Sequence, residues 1–333
     1  MQIALLKHSI IIYLCTFFIF INAKANTTIT LPKAKTLKIV NASNVRVRSA
    51  PTTDASIVKK LSFGTLVKVE RRTSDQFKVG TNSDYWYYLN EHKAWIFGQL
   101  LTDFQPEKAA SIQSALIEKR LKKSLKFKEY VELSEYIKQI SGDIDDVDIK
   151  GRLALNDLIA LEKAAEKIEW GQETKEPYVT FLKQRKDLIF YAEIAGQYII
   201  NPDAYWDLSE KYADNPVGDD MTWYAANAMS GGECEGMTYC MLMRALGNEG
   251  EYLRRYPEGK YSKMAIKVLS QDYQYVIENN FGKNAENYSK REQADLRKEE
   301  RILDKALKKM GKNLPQAKKL RKQLKAFGKL FYR

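Results

Sequence analysis

The spacing of hydrophobic positions changes twice along this chain. Ser9 to Ile21 is an almost unbroken apolar run of 13 residues, dominated by Ile and Phe. From Leu37 to Asp103 apolar residues alternate with polar ones in short stretches, the period of a strand. Beyond Gln105 they recur at spacings of three and four, the period of a helix. Lys7 and His8 precede the first run and Ala23-Lys24-Ala25 follows it, with small residues at the −3 and −1 positions of a cleavage site. The run falls short of the ~20 residues a spanning helix needs. Residues 1–25 are therefore expected to be a cleaved export signal, leaving the protein periplasmic or extracellular. Cys15 follows Tyr13-Leu14 rather than a small residue, which argues against a lipid anchor. Residues 26–36, polar and carrying Pro32, read as a linker.

The segment 37–103 supplies the phrases LKIV, VRVR, TLVKVERR, FKVG, YWYYL and KAWIF, each bounded by turn-forming residues. So many short strands in so little chain predict a small barrel. In VRVR, Val45 and Val47 fall on the core face and Arg46 and Arg48 on the other, and Pro51 stops the strand because it has no N–H to give the ladder. The ordered set Val47-Arg48-Ser49-Ala50-Pro51, Ile57-Val58, Gly64-Thr65, Trp86-Tyr87-Tyr88-Leu89, Ala94-Trp95-Ile96 and Leu100-Leu101 resembles the bacterial SH3 domain. The departures are Arg46 where that family has Asn, and Ala50 and Ala94 where it commonly has Gly. The resemblance implies binding of a peptide or of cell-wall peptidoglycan. It puts the ligand surface on Tyr85, Trp86, Tyr87 and Trp95, together with Arg48. Arg48 lies within reach of Trp95 as a cation over an aromatic ring, and a purely structural clamp is the alternative role.

In the remainder, 104–333, Tyr130, Leu133, Ile137 and Ile140 share one helical face, as do Leu155, Leu158, Ile159 and Ala165, and Leu188, Tyr191, Ala195 and Ile199. Gly and Pro interruptions divide the segment into helices of ordinary length joined by short turns, and no long strand pattern is visible. The fold class expected is α+β multidomain: a small all-β SH3-like barrel, then an all-α, repeat-like helical domain. Residues 235–277 resemble one hairpin of a tetratricopeptide-type array, with Leu242, Leu246, Leu253 and Tyr256 lining the first arm and Tyr261, Ala265, Val268 and Leu269 the second.

Composition narrows the chemistry. Once the signal is removed His92 is the one histidine left, too few for a zinc site and unfavourable for a Cys–His or Ser–His hydrolase. Cys234 and Cys240 are six apart, which does not match a two-residue redox spacing. They can bridge only if Cys234 sits in the Gly-rich approach and Cys240 in the first turns of the following helix. A disulfide is expected in an oxidising compartment, with two free thiols or a redox pair as the alternatives. The aspartates of GDIDDVDIK, 142–150, lack the Gly and Glu positions of a calcium loop and read as a helix cap. Tyr205, Trp206, Trp223 and Tyr224 read as interhelical packing, with a ligand groove as the alternative.

The net charge of +12 is concentrated at the end of the chain: residues 283–333 hold 17 basic and 6 acidic residues. There Leu320, Leu324, Phe327 and Phe331 share a helical face and lysines crowd elsewhere. The helix either caps the array or lies on an anionic membrane. Nothing resembles a nucleic-acid motif, and neither a metal nor a cofactor is expected. The function expected is a non-enzymatic envelope binding protein, whose barrel takes peptidoglycan or a peptide and whose helical domain holds a protein partner or acts as a scaffold. The alternative is a cell-wall hydrolase targeted by the barrel. A glutamate-based glycosidase needs only two carboxylates, and Glu233, Glu235 and Glu249 are available.

Overall fold

The computed structural model describes residues 27–32, 36–229, 233–235, 237–279, 288–310 and 314–332. The expected export signal, 1–25, lies outside them. The β module comprises β1 (Thr28–Thr30), β2 (Leu37–Val40), β3 (Val45–Arg48), β4 (Ile57–Leu61), β5 (Leu66–Thr73), β6 (Phe77–Val79), β7 (Asn82–Asp84), β8 (Trp86–Leu89), β9 (Ala94–Phe97) and β10 (Leu101–Asp103). Its main path runs β10-β2-β5-β8-β9-β3-β4, antiparallel throughout, and β6–β7 forms a separate hairpin. The alternating residues close inward: Val40, Val45, Val47, Leu61, Val67, Val69, Leu89, Ala94 and Ile96 form one buried cluster. Ala94 needs no special backbone, because the left-handed position of the β8–β9 turn falls on Lys93, at φ +47°.

Part of the segment read as linker is a strand. Its neighbour β5 is eight residues long, but β2 covers it only from Leu66 to Lys68. Beyond a register shift, Arg71–Thr73 would be an open edge, and β1 pairs with it in the register Thr28↔Thr73. All three β1 residues are exposed, so backbone hydrogen bonding alone specifies the strand.

The helical part contains α1 (Ala109–Leu121), α2 (Phe127–Ser141), α3 (Val147–Ala165), α4 (Tyr178–Lys183), α5 (Pro202–Lys211), α6 (Val217–Asn227), α7 (Thr238–Gly247), α8 (Glu249–Arg255), α9 (Ser262–Glu278), α10 (Lys290–Lys309) and α11 (Pro315–Phe331). Asp146, from the acidic cluster, caps α3 by accepting the Ile149 N–H at 3.0 Å. Among the described residues the all-α expectation fails at one place. Between α4 and α5 the chain forms a hairpin of β11 (Ile189–Ala192) and β12 (Gln197–Ile200). Gly196, at φ +62°, makes its turn, and Ile189, Ala192, Ile199 and Ile200 are buried.

Two further hydrophobic clusters organise the helices. The first joins α1–α6 and continues into the β module through Ile39, Phe63 and Phe104. At that junction Phe63 meets the Tyr136 ring edge-on at 5.2 Å, the Phe63 N–H donates to Glu132 at 3.1 Å, and the buried Arg120 donates to Ser43 Oγ and to Glu129. Gly64 makes the approach possible: a Cβ built there would lie 2.1 Å from the Tyr136 ring. The second cluster joins α7–α11 and takes in Ala226 at the end of α6.

The apolar face of α11 is used up inside this second cluster. Leu320, Phe327 and Phe331 are fully buried and Leu324 nearly so. The membrane-lying alternative is corrected on this point, because the face that would enter a bilayer packs on the neighbouring helices. Among the described residues no helix is long and apolar enough to cross a membrane. Cys234 and Cys240 are joined, with a Cα–Cα distance of 5.3 Å, the first in the loop before α7 and the second in its first turn.

Candidate functional site

The residues expected to share one ligand platform do not share it. Alternation along β8 sends Trp86 one way and its neighbours another. Trp86 is 3% exposed and tilts against Phe97 at 5.4 Å. Tyr85 lies beneath the Arg72 guanidinium at 3.5 Å. Tyr87 lies beneath the Lys38 ammonium at 4.7 Å, and burial, with the nearby Asp84 carboxylate second, raises its phenol above the ordinary value. Trp95 meets Tyr88 at 5.1 Å, and Arg71 covers Tyr88 from outside. The tyrosine faces are thus partly occupied by cations of the module itself.

Arg48 stands opposite Trp95 in register, but its Nη1 donates to the Ala55 carbonyl at 2.6 Å. With the Ser49 N–H to Ser56 O bond and the Ser49–Ser56 hydroxyl contact, it closes the loop 49–56. It is a clamp in this arrangement.

Arg48 and Trp86 are nevertheless brought together, as parts of one cavity of about 290 Å³. Its walls come from the turn before β3, the loop 49–56, the β6–β7 hairpin and the β9–β10 connection. Val45, Val79, Phe97 and Leu100 give it apolar surface, and Asn44, Asn82 and Gln99 give it amides. Arg46 and Arg48 line it and no carboxylate does, so the cavity is electropositive. The Trp86 backbone N–H donates to Thr73 Oγ1, whereas the indole Nε1 is buried with no hydrogen-bond partner. A buried donor left unpaired costs about 1–3 kcal/mol. Sequence reasoning missed Arg46, Asn44, Asn82 and Gln99. Arg46 was legible as the outward cation of the alternating strand. The amides come from three separate segments, Asn82 from the start of β7, and carried no spacing signal.

The carboxylates considered for hydrolysis line neither this cavity nor the helical cavity described below. Glu249 begins α8, and burial, followed by the Asp272 charge, raises it to about 7. Among the described residues, no group of three or more His, Cys, Asp or Glu side chains is placed to hold a metal ion.

Residues 43–102 match the family model described as bacterial SH3 domain, under a fifth of the chain. The match begins at the turn before β3 and ends within β10, so it contains every wall of the cavity except Ala42. No curated protein and no solved structure matches the chain.

Proposed function

We propose that this chain is an exported, non-enzymatic binding protein whose β module holds a short peptide or a peptide-bearing segment of peptidoglycan in the cavity beside Trp86. One observation carries the reading. Trp86, whose buried indole N–H has no partner, lines a cavity edged by two arginines and three amides, with no carboxylate to compete. Peptide carbonyls and carboxylates fit that set, and Trp86 and Phe97 provide rigid apolar contact at little cost in conformational entropy. The likeness of this segment to bacterial SH3 domains supports the same ligand class. Export is supported by the apolar run with its Ala-Lys-Ala boundary and by the Cys234–Cys240 bond, which persists in oxidising compartments. The helical domain serves as scaffold or partner site. We read residues 235–277 as a hairpin of tetratricopeptide type, its first arm divided between α7 and α8 and its second arm α9, joined at Pro257–Gly259.

The test is co-sedimentation of the full chain with purified peptidoglycan, beside Arg46→Glu and Trp86→Phe. Arg46 is exposed and Phe keeps the ring packing while deleting the N–H. The parent protein should pellet with the wall and both variants should bind about tenfold less, the value of one charged or buried hydrogen bond. Equal pelleting by all three would remove the cavity from the reading. Release of soluble muropeptides would instead favour the hydrolase reading, in which a carboxyl such as Glu249 acts as the acid.

A further inference from the structure

A second cavity, of about 330 Å³, opens in the helical domain where the α1–α6 cluster meets the turn between α8 and α9. Three walls are stripes of helices: Glu118 and Leu121 from α1, with Lys122 at its C-cap; Arg152, Leu155, Asn156, Ile159 and Lys163 from α3; Val217, Asp220 and Tyr224 from α6; Lys260 and Tyr261 of the turn form the fourth. Gly151 lets the last two helices close beneath it, since a Cβ there would meet Val217 at 2.7 Å.

Some of its charges are already committed. Asp220 accepts from Lys260 Nζ at 2.8 Å and from Tyr261 OH at 2.7 Å, and pairs with Arg152, which also holds Asp148. Three features are not. Lys122 and Lys163 make no ion pair among the described residues, and both line the cavity, where Glu118 is the one carboxylate besides Asp220. Asn156 is only 7% exposed, yet its side-chain amide has no hydrogen bond among the described residues. The floor of Leu121, Leu155, Ile159 and Val217 is buried and apolar.

A ligand that completes this set must bring a negative charge for the two lysines, a donor and an acceptor for one amide, and an apolar group for the floor. An inorganic anion supplies only the first. A peptide C-terminus supplies all three: its carboxylate, its last peptide group and its final side chain. We propose that this cavity binds the C-terminal residues of a peptide, with the carboxylate at Lys122 and Lys163 and the last peptide group on Asn156. The site is separate from the barrel cavity and stands without it.

The probes are N-acetyl dipeptide acids ending in Ala, Leu or Phe, their C-terminal primary amides, and isovalerate, titrated into the full chain by calorimetry. At least one acid should bind saturably, and its amide and isovalerate should bind about tenfold or more weakly. The double variant Lys122→Ala/Lys163→Ala, at solvent-accessible positions, should lose the acid. Asn156→Leu, with its fold checked by melting, should weaken the acid and leave isovalerate unchanged. Several results overturn the proposal: no saturable binding by any acid at millimolar concentration, equal binding of acid and amide, or binding that survives the double lysine substitution. Isovalerate binding as tightly as the dipeptide acid would reduce the site to a carboxylate pocket and overturn the assignment to a peptide end.

Discussion

Glu300 offers the most direct quantitative check on the helical packing. It lies in the middle of α10, 7% exposed, and accepts from Tyr273 OH of α9 at 3.0 Å and from Tyr332 OH, just past α11, at 2.9 Å. It therefore ties the basic terminal helix to the two helices beneath it. Burial raises its carboxyl from 4.5 to about 7, against the lowering effect of the two phenols. The folded protein then holds a proton that the unfolded chain releases. Stability is fully present below pH 4.5, declines as pH rises through the interval, and levels off above about 7. A shift of that size is worth about 3 kcal/mol. Glu300→Gln removes the charge at every pH and keeps one carbonyl oxygen as acceptor. Urea unfolding followed by tryptophan fluorescence at pH 5 and pH 8 should show the parent losing about 2.5 kcal/mol more than the variant between the two, part of the effect being already spent at pH 5. Glu249 titrates in the same range in both proteins, so the difference isolates Glu300. Parallel pH profiles would refute both the buried carboxyl and the docking of α11 that buries it.

Two further outcomes test the junction and the staple. Gly64→Ala combines a left-handed backbone, φ +80°, with a Cβ driven into the Tyr136 ring, and should cost about 2–5 kcal/mol, read as a lower urea midpoint. Cys234→Ser/Cys240→Ser opens a loop of six-residue separation and should lose about 2 kcal/mol, with reductant lowering the parent's melting temperature to that of the variant.

The barrel interior was legible because one side of each strand had to be apolar: Val45 and Val47 were read as core and are core, and Val67, Val69 and Ile96 complete the same cluster. The likeness to bacterial SH3 domains was legible over the same stretch. Strand β1 was not, because Thr-Ile-Thr buries nothing and answers only to an unfilled edge of β5, four strands on in sequence. The β11–β12 hairpin deceived by spacing. Leu188, Tyr191, Ala195 and Ile199 imitate a helical face, whereas the pairs Ile189↔Ile200 and Tyr191↔Tyr198 obey the strand rule, and Gly196 was the available hint. The aromatic platform was an error the sequence itself corrects, since Trp86 and Tyr87 are neighbours on one strand and cannot face the same way. Asn156 had a local signal, a lone amide inside the apolar stripe from Leu155 to Ile159. Its lack of a partner is a property of three helices at once.

The junction also decides which experiments on the barrel are clean. A module on a flexible tether can be deleted, because few contacts cross its boundary. Here Ile39, Phe63 and Phe104 belong to the same buried cluster as Leu116, Tyr136 and Ile137, and the Phe63 N–H is satisfied by Glu132. Removing residues 37–103 would expose that cluster and leave the Arg120–Glu129 pair without Ser43, so lost binding in a deletion would report misfolding as readily as a missing site. Ser43 lines the barrel cavity, and Arg120, which donates to it, is followed at once by Leu121 and Lys122, which line the helical cavity. The last turn of α1 therefore lines one cavity and hydrogen-bonds a residue that lines the other. For that reason the two binding readings must be tested by substitutions confined to side chains that reach only one cavity: Arg46 and Trp86 for the first, Lys122, Lys163 and Asn156 for the second.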